Sequence, residues 1–328
     1  MTDPVEDLPP LRDTIAAAGL AATKALGQHF LLDLNVTGKI ARAVPKITEG
    51  TVIEVGPGPG GLTRALLLAG ARKVVAIERD ERAVLALQPL VDAAGGRLEV
   101  ISGDALTFDY ESVPGPRQIV SNLPYNVGTP LLIGWLEHME RFSALTLMFQ
   151  KEVAQRIVAK PRTPDYGRLS VMSQWRCNCK KLFDLPARAF TPPPKVDSSV
   201  VQLIPQVSDA ALWPVMERVV AAAFGQRRKM LRVGLKQISA QGDGEALCLA
   251  AGIEPTARAE ELGTAEFVRL ATPTRRRLSE LGFISVGGCA AALAGSRSCR
   301  SYLPGGGGAC ARRAGWSAPD APPFPDCH

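Results

Sequence analysis

Asn122-Leu123-Pro124-Tyr125 has the residue types and the order needed to hold an amine for reaction. The exocyclic amine of adenine is a poor nucleophile because its lone pair is delocalised into the ring. An amide oxygen (Asn122) and a backbone carbonyl (Leu123) can accept its two N–H bonds and aim the lone pair at an electrophile. Pro124 fixes the turn and disfavours helix at Leu123. Tyr125 offers an aromatic face to an extruded base, a contact worth about 1–3 kcal/mol per base. That face also tolerates the positive charge that develops on the amine. No strong general base is required, so orientation and electrostatics would supply the catalysis. Taken alone, the tetrapeptide is also an ordinary turn. Its meaning depends on what surrounds it.

Three upstream segments give it a setting. Thr51–Thr63 reads TVIEVGPGPGGLT, a strand running into a glycine turn and then a helix. The glycines permit positive φ and close approach of a ligand to the backbone. Gly56-x-Gly58-x-x-Gly61 satisfies the dinucleotide pattern. Glu54-x-Gly56-x-Gly58-x-Gly60 satisfies the form usual in methyltransferases. Glu78 ends the next apolar run, Val74–Ile77, where a carboxylate can accept from both hydroxyls of a ribose. NAD and S-adenosylmethionine both contain that ribose, so Glu78 does not separate them. Asp104 ends a third run; it can accept from an adenine amino group while the Ala105 N–H donates to a ring nitrogen.

These residues need a parallel sheet. Strand-like and helix-like runs alternate from about Leu11 to Gln206, which predicts a doubly wound α/β layer with Gly56, Glu78 and Asp104 on successive strand ends around one crevice. Val171–Lys180 and Val200–Ile204 read as two further strands, forming an antiparallel hairpin at the sheet edge. From about Asp209 the pattern is helical, with helices predicted over Leu212–Phe224, Met230–Ile238, Ala246–Ala251 and Thr264–Ala271. The predicted organisation is a flexible N-terminus (1–11), an α/β domain (12–206), a small helical domain (207–278) and a disordered tail (279–328) rich in glycine and proline.

The 328-residue chain is 46% hydrophobic, enough for a core, and its net charge of +6 permits a polyanionic partner without identifying one. Seven cysteines occur with no C-x-x-C pair, which argues against zinc or any other metal. Cys177 and Cys179 alternate on a predicted strand and read as buried thiols. No apolar run is long enough to span a bilayer. The acidic N-terminus lacks the layout of a secretory signal, which points to the cytoplasm.

Two further segments, Lys24–Leu31 (KALGQHFL) and Phe190–Ser198 (FTPPPKVDS), complete a joint pattern with VIEVGPGPGGLT and NLPY. Over roughly residues 12 to 278 the chain resembles the small-subunit ribosomal RNA adenine dimethyltransferases, the KsgA/RsmA family. The resemblance implies a Rossmann-like class I methyltransferase sheet with an antiparallel edge strand and a C-terminal helical RNA-binding domain. It implies S-adenosylmethionine as methyl donor and N6-dimethylation of two adjacent adenosines in the 3′-terminal hairpin loop of 16S rRNA. It further implies a monomer with a role in late small-subunit assembly. Matched by position, the donor pocket falls on His29, Leu31, Gly56, Glu78, Asp104, Ala105 and Asn122. Many relatives carry Asn where this chain has His29; either type can donate to the donor's amino-acid moiety. Asn122, Leu123, Pro124 and Tyr125 would form the catalytic segment, with Phe190 as a second aromatic wall. Arg227, Arg228 and Lys229 would meet RNA phosphates, with Lys24 and Lys195 as further contacts, and Lys151 and Arg156 could join that surface.

Two other readings stay open at this point. A nicotinamide-dependent oxidoreductase would need an acid or base beyond the crevice; His138 is the remaining internal histidine, and the Asn-Leu-Pro-Tyr segment would go unexplained. A non-catalytic RNA-binding assembly factor could share the fold.

Overall fold

The computed structural model describes residues 3–20, 29–239 and 242–280. Its strands are β1 (Phe30–Leu31), β2 (Thr51–Val55), β3 (Val74–Glu78), β4 (Leu98–Ser102), β5 (Arg117–Asn122), β6 (Ala144–Gln150), β7 (Cys177–Leu185), β8 (Phe190–Thr191) and β9 (Ser198–Pro205). Every residue of β2 and β3 is buried, which explains why both are rich in β-branched and apolar residues, with Glu54 and Glu78 as buried exceptions. Among the described residues the main sheet has seven strands in the order β4-β3-β2-β5-β6-β9-β7. Strands β4 to β6 are parallel, and β9 runs antiparallel to both β6 and β7. The edge hairpin is therefore present, with the reversed strand second from the margin and β7 outside it. The chain winds outward from β2 to β4, then crosses back to place β5 on the other side of β2. That reversal opens a crevice at the carboxyl ends of β2 and β5. Strands β1 and β8 form a separate ribbon in which Leu31 faces Phe190.

The sequence reading fails at one element of this layer. Val171–Arg176, expected as strand, lies in a helix, Arg168–Arg176, and β7 begins only at Cys177. Val171, Met172 and Trp175 are buried along one helical face, and the Ser170 hydroxyl accepts from the Gly167 N–H at 3.0 Å at its start. A short apolar run does not distinguish a strand from a buried helical turn. Cys177 is buried and Cys179 partly so; burial pushes the Cys179 thiol up to about 12 and that of Cys177 higher still, so neither is a reactive thiolate.

The N-terminal segment, expected to be flexible, is fastened from residue 3 onward. Val5 is fully buried. Arg97 grips the Asp3 carboxylate with bonds of 2.8 and 2.7 Å, and Arg64 donates to the carbonyls of Glu6 (2.8 Å) and Pro9 (2.9 Å). Those arginines lie far along the chain, so local composition gave no warning.

Helices Trp213–Gly225, Leu231–Leu235, Gly244–Ala250 and Thr264–Glu280 follow the sheet. The second is shorter than predicted. The last runs past Pro273, where the sequence pattern stops. Their apolar faces join the core of the sheet: Val215, Val219, Leu235 and Phe267 belong to the same buried cluster as Leu145, Trp175 and Val201. Trp175 stacks on Trp213 with centroids 6.0 Å apart. The predicted tail falls, from residue 281, outside the described residues. Among the described residues no helix is long and apolar enough to cross a membrane.

Candidate functional site

The cleft lies where topology places it, across the ends of β2, β3, β4 and β5. Its lining includes His29, Leu31, Gly56, Glu78, Asp104, Ala105, Asn122, Leu123, Pro124 and Tyr125. Four chain segments predicted to converge therefore do so.

The glycine turn follows β2 and leads into the helix Gly61–Leu68. Gly56 and Gly58 have φ of 67° and 54°, a region that residues with a Cβ rarely occupy. At Gly61 the constraint is packing: a Cβ would come within 2.5 Å of the Leu31 carbonyl oxygen. The turn is thus pressed against β1 and leaves its other side to the cleft.

Glu78 ties this turn to β3. Its side chain is buried; Oε2 accepts the Gly58 N–H at 3.0 Å, and Oε1 accepts those of Arg79 (2.8 Å) and Asp80 (2.9 Å). The carboxylate is fixed by backbone before any ligand arrives. Asp104, more exposed, accepts the Leu106 N–H at 2.9 Å and faces Arg79 at 3.6 Å. Ala105 is buried beside it.

The motif at the end of β5 is braced from two sides. Asn122 Nδ2 donates to the His29 carbonyl at 3.0 Å, so the amide's orientation is set and Oδ1 remains as its acceptor. Leu123 buries its side chain. The Pro124 carbonyl is spent on the N–H groups of Val127 (3.2 Å) and Gly128 (3.0 Å), which start the next helix. The half-buried Tyr125 shares a hydrogen bond with Ser198 Oγ at 2.9 Å. Burial raises its pKa above the ordinary phenol value, partly offset by the Ser198 bond, so the ring is a neutral platform. The His29 ring packs on Tyr125, centroids 5.4 Å apart, and its Nδ1 donates to the Pro192 carbonyl at 2.8 Å. His29 therefore reaches the cleft chiefly as a brace joining two loops.

Two residues matter here that the sequence did not single out. Glu54 lines the cleft, is buried, and its Oε2 has no hydrogen-bond partner. Burial, then the charge of Glu78, raises its pKa to about 8; Thr63 offsets this in part, although its hydroxyl makes no hydrogen bond of ordinary geometry. The acidic position of the glycine motif was its only signal. Ser198 closes the Phe190–Ser198 motif, but its link to Tyr125 needs the sheet.

Phe190 sits apart from the other predicted site residues. It is 3% exposed, lies in the apolar core with Leu31 and Val200, and does not line the cleft. Pairing with Leu31 in the β1–β8 ribbon fixes its position. The basic run divides as well. Arg227 is held by Glu260 at 2.8 Å and by the Pro164 carbonyl at 2.7 Å, whereas Arg228 and Lys229 are exposed. Lys195 is exposed on the loop before β9. Lys151 pairs with Asp184 at 3.5 Å, and Arg156 pairs with Glu152. Lys24 lies outside the described residues.

The donor set suits S-adenosylmethionine. Glu78 and Asp104 present carboxylate at the ends of β3 and β4, and the glycine turn lines the cleft between them. The unpartnered Glu54 Oε2 leaves one buried polar atom for a ligand to satisfy.

Comparison with known proteins agrees with this geometry. The family model described as ribosomal RNA adenine dimethylase matches residues 19–274. A protein of Rhodospirillum rubrum named ribosomal RNA small subunit methyltransferase A is 58% identical over 271 residues, covering 82% of this chain and 93% of its own. A protein of the same name from Paramagnetospirillum magneticum is 57% identical over 268 residues, covering 81% and 94%. Among solved structures, a dimethyladenosine transferase from Plasmodium falciparum aligns with TM-score 0.65 at 27% identity, over 77% of this chain and 98% of its own. The 23S rRNA methyltransferase ErmE aligns with TM-score 0.57 at 27% identity, over 75% and 99%. One of these solved structures is named for 23S rRNA, while the more similar sequences carry a small-subunit name. The chain belongs to the ribosomal RNA adenine dimethylase family, and it is an S-adenosylmethionine-dependent methyltransferase.

Proposed function

We propose that this cleft methylates N6 of adenosine in small-subunit ribosomal RNA, twice on each of two adjacent adenosines in the 3′-terminal hairpin loop. The enzyme would act as a cytoplasmic monomer late in subunit assembly. Residues 12–206 perform the transfer and 207–278 help to hold the RNA. The observation that supports this best is the fixed amide of Asn122. With Nδ2 bonded to His29 O, Oδ1 is the atom left to accept an N–H from a base lying on Tyr125. The Leu123 carbonyl is the second acceptor. Together they turn the amine lone pair out of conjugation and toward the glycine turn.

When bound, S-adenosylmethionine supplies an electrophilic methyl group. Glu78 and Asp104 hold the donor's polar groups, and the glycine turn permits close approach. Asn122 and Leu123 would hold the amine in line with that methyl group as it is taken up. The amine's surplus proton passes to water. Tyr125, kept neutral, gives the cationic amine an aromatic face.

The test is mass analysis of ribosomal RNA from under-methylated small subunits incubated with the purified protein and S-adenosylmethionine. Dimethyladenosine at adjacent positions near the 3′ end is expected. Methylation of another base, or at positions away from the 3′ end, overturns the reading. S-adenosylhomocysteine should raise the melting temperature where NAD does not, which separates the oxidoreductase reading.

A further inference from the structure

Arg227 has the sequence of an RNA contact and the surroundings of a structural residue. Its Nε donates to Glu260 Oε2 at 2.8 Å and its Nη2 to the Pro164 carbonyl at 2.7 Å. The Glu260 backbone carbonyl accepts the Arg162 N–H at 2.7 Å. Glu260 therefore grips the loop 159–167 twice, once through Arg227 and once directly. Within that loop Arg162 has φ of 68°, a conformation uncommon for a residue with a side chain, and it is exposed. Lys160 is exposed two residues earlier. Arg168, at the loop's far end, donates to the Ala221 carbonyl at 3.2 Å, in the helix that leads into the turn carrying Arg228 and Lys229. Asp165 is the loop's one acidic residue.

We propose that the loop 159–168 and the turn 226–229 form a single phosphate-binding surface for folded RNA, with Arg227 as the positioning residue that assembles it. This rests on the reading that the substrate is ribosomal RNA. A lone basic run is usually a solvated face. Here two distant segments bring like charges together, and the guanidinium between them is consumed in fastening one to the other. Lys160, Arg162, Arg228 and Lys229 keep exposed cationic side chains for which no carboxylate partner is found among the described residues. An Arg227 already forked onto a carboxylate and a carbonyl has little left to offer a phosphate bidentately. Such a surface steers and seats the RNA while the reacting base is handled at the strand ends.

The experiment measures binding of under-methylated small ribosomal subunits across a salt series. Two double variants are compared, Lys160→Ala with Arg162→Gly, and Arg228→Ala with Lys229→Ala. Removing one cation that touches a phosphate should reduce the slope of log K against log salt by about 0.7 to 0.9. Both pairs should therefore flatten it by roughly one to two. Glycine suits the backbone at Arg162, so the melting temperature should not fall and affinity for S-adenosylhomocysteine should stay constant. Arg227→Ala should weaken subunit binding in the wild type. It should add little once Lys160 and Arg162 are gone, because its effect passes through their loop. Arg227→Lys, which lacks the fork, should not rescue it. An unchanged slope for the loop pair overturns the surface. Equal losses from Arg227→Ala in both backgrounds overturn the positioning role. Wild-type protein that binds with these slopes but transfers no methyl group sinks the functional reading and leaves this one standing.

Discussion

The cleft and the basic surface place similar demands on the sequence and meet them in opposite ways. In the cleft the key polar groups are tied to the protein: Glu78 holds three N–H groups, the Asn122 amide is set by His29, and Tyr125 is held by Ser198. On the surface one arginine is tied down and its neighbours are left exposed. The difference follows from what each region must do. An amine has to be placed within tenths of an ångström to react, so its acceptors are pre-oriented. Phosphate attraction acts over a Debye length of roughly 8–10 Å, so long flexible side chains suffice. Changes in the cleft should alter turnover and ignore salt; changes on the surface should do the reverse.

The sharpest way to break that contrast is Asn122→Ala. It removes an acceptor from the reacting amine, and losing one pre-oriented group of this kind costs about 10²–10³ in kcat. Subunit affinity and its salt slope should stay at wild-type values. A kcat within a few-fold of wild type would show that Asn122 does not hold the amine.

Glu54 tests how firmly the cleft is set. Its pKa is raised to about 8, so the folded state keeps a proton that the unfolded chain loses near 4.5. The stabilisation is complete below 4.5 and is lost as pH rises toward 8, at no more than about 1.4 kcal/mol per pH unit. Glu54→Gln should remove that decline. Denaturant melts from about pH 5 to 9 should show the wild type losing ground to the variant as pH rises. Parallel curves would mean that Glu54 is ionised in the fold.

Glu78→Ala should weaken S-adenosylhomocysteine binding by about 1.5–3 kcal/mol through lost charge-assisted hydrogen bonds. Because Gly58, Arg79 and Asp80 also lose their acceptor, the melting temperature should fall with it. Calorimetry showing full donor affinity would remove Glu78 from the donor pocket.

What the sequence made legible is local. Glycine turns, apolar runs and the residue just past each run put Gly56, Glu78, Asp104 and Asn122 at neighbouring strand ends, because strand order and crossover rules leave few alternatives. What it hid depends on partners far along the chain. Phe190 faces the core because Leu31 pairs with it. Val171–Arg176 is helical because its apolar residues meet the core on one helical face. The N-terminus is fastened by Arg64 and Arg97. Arg227 and Arg228 are adjacent and identical in type, and the Glu260 carboxylate and the Pro164 carbonyl, both distant in sequence, separate their roles.

Ser198 gives the smallest effect and the finest test. Its hydroxyl is fully buried and meets the Tyr125 hydroxyl at 2.9 Å. It cannot touch a base lying on the ring, so it acts only by holding the ring in place. A neutral hydrogen bond of this kind contributes about 0.5–1.5 kcal/mol, or roughly two- to tenfold in rate if the whole of it is felt at the transition state. Ser198→Ala should lower kcat by that factor while donor affinity and salt slope are unchanged. Tyr125→Phe, which keeps the platform and drops the hydroxyl, should cost the same. If the bond is the whole connection, the double variant should be no worse than either single one. Additive losses would mean that the Tyr125 hydroxyl has a second duty in the cleft, and the ring would then be more than a platform.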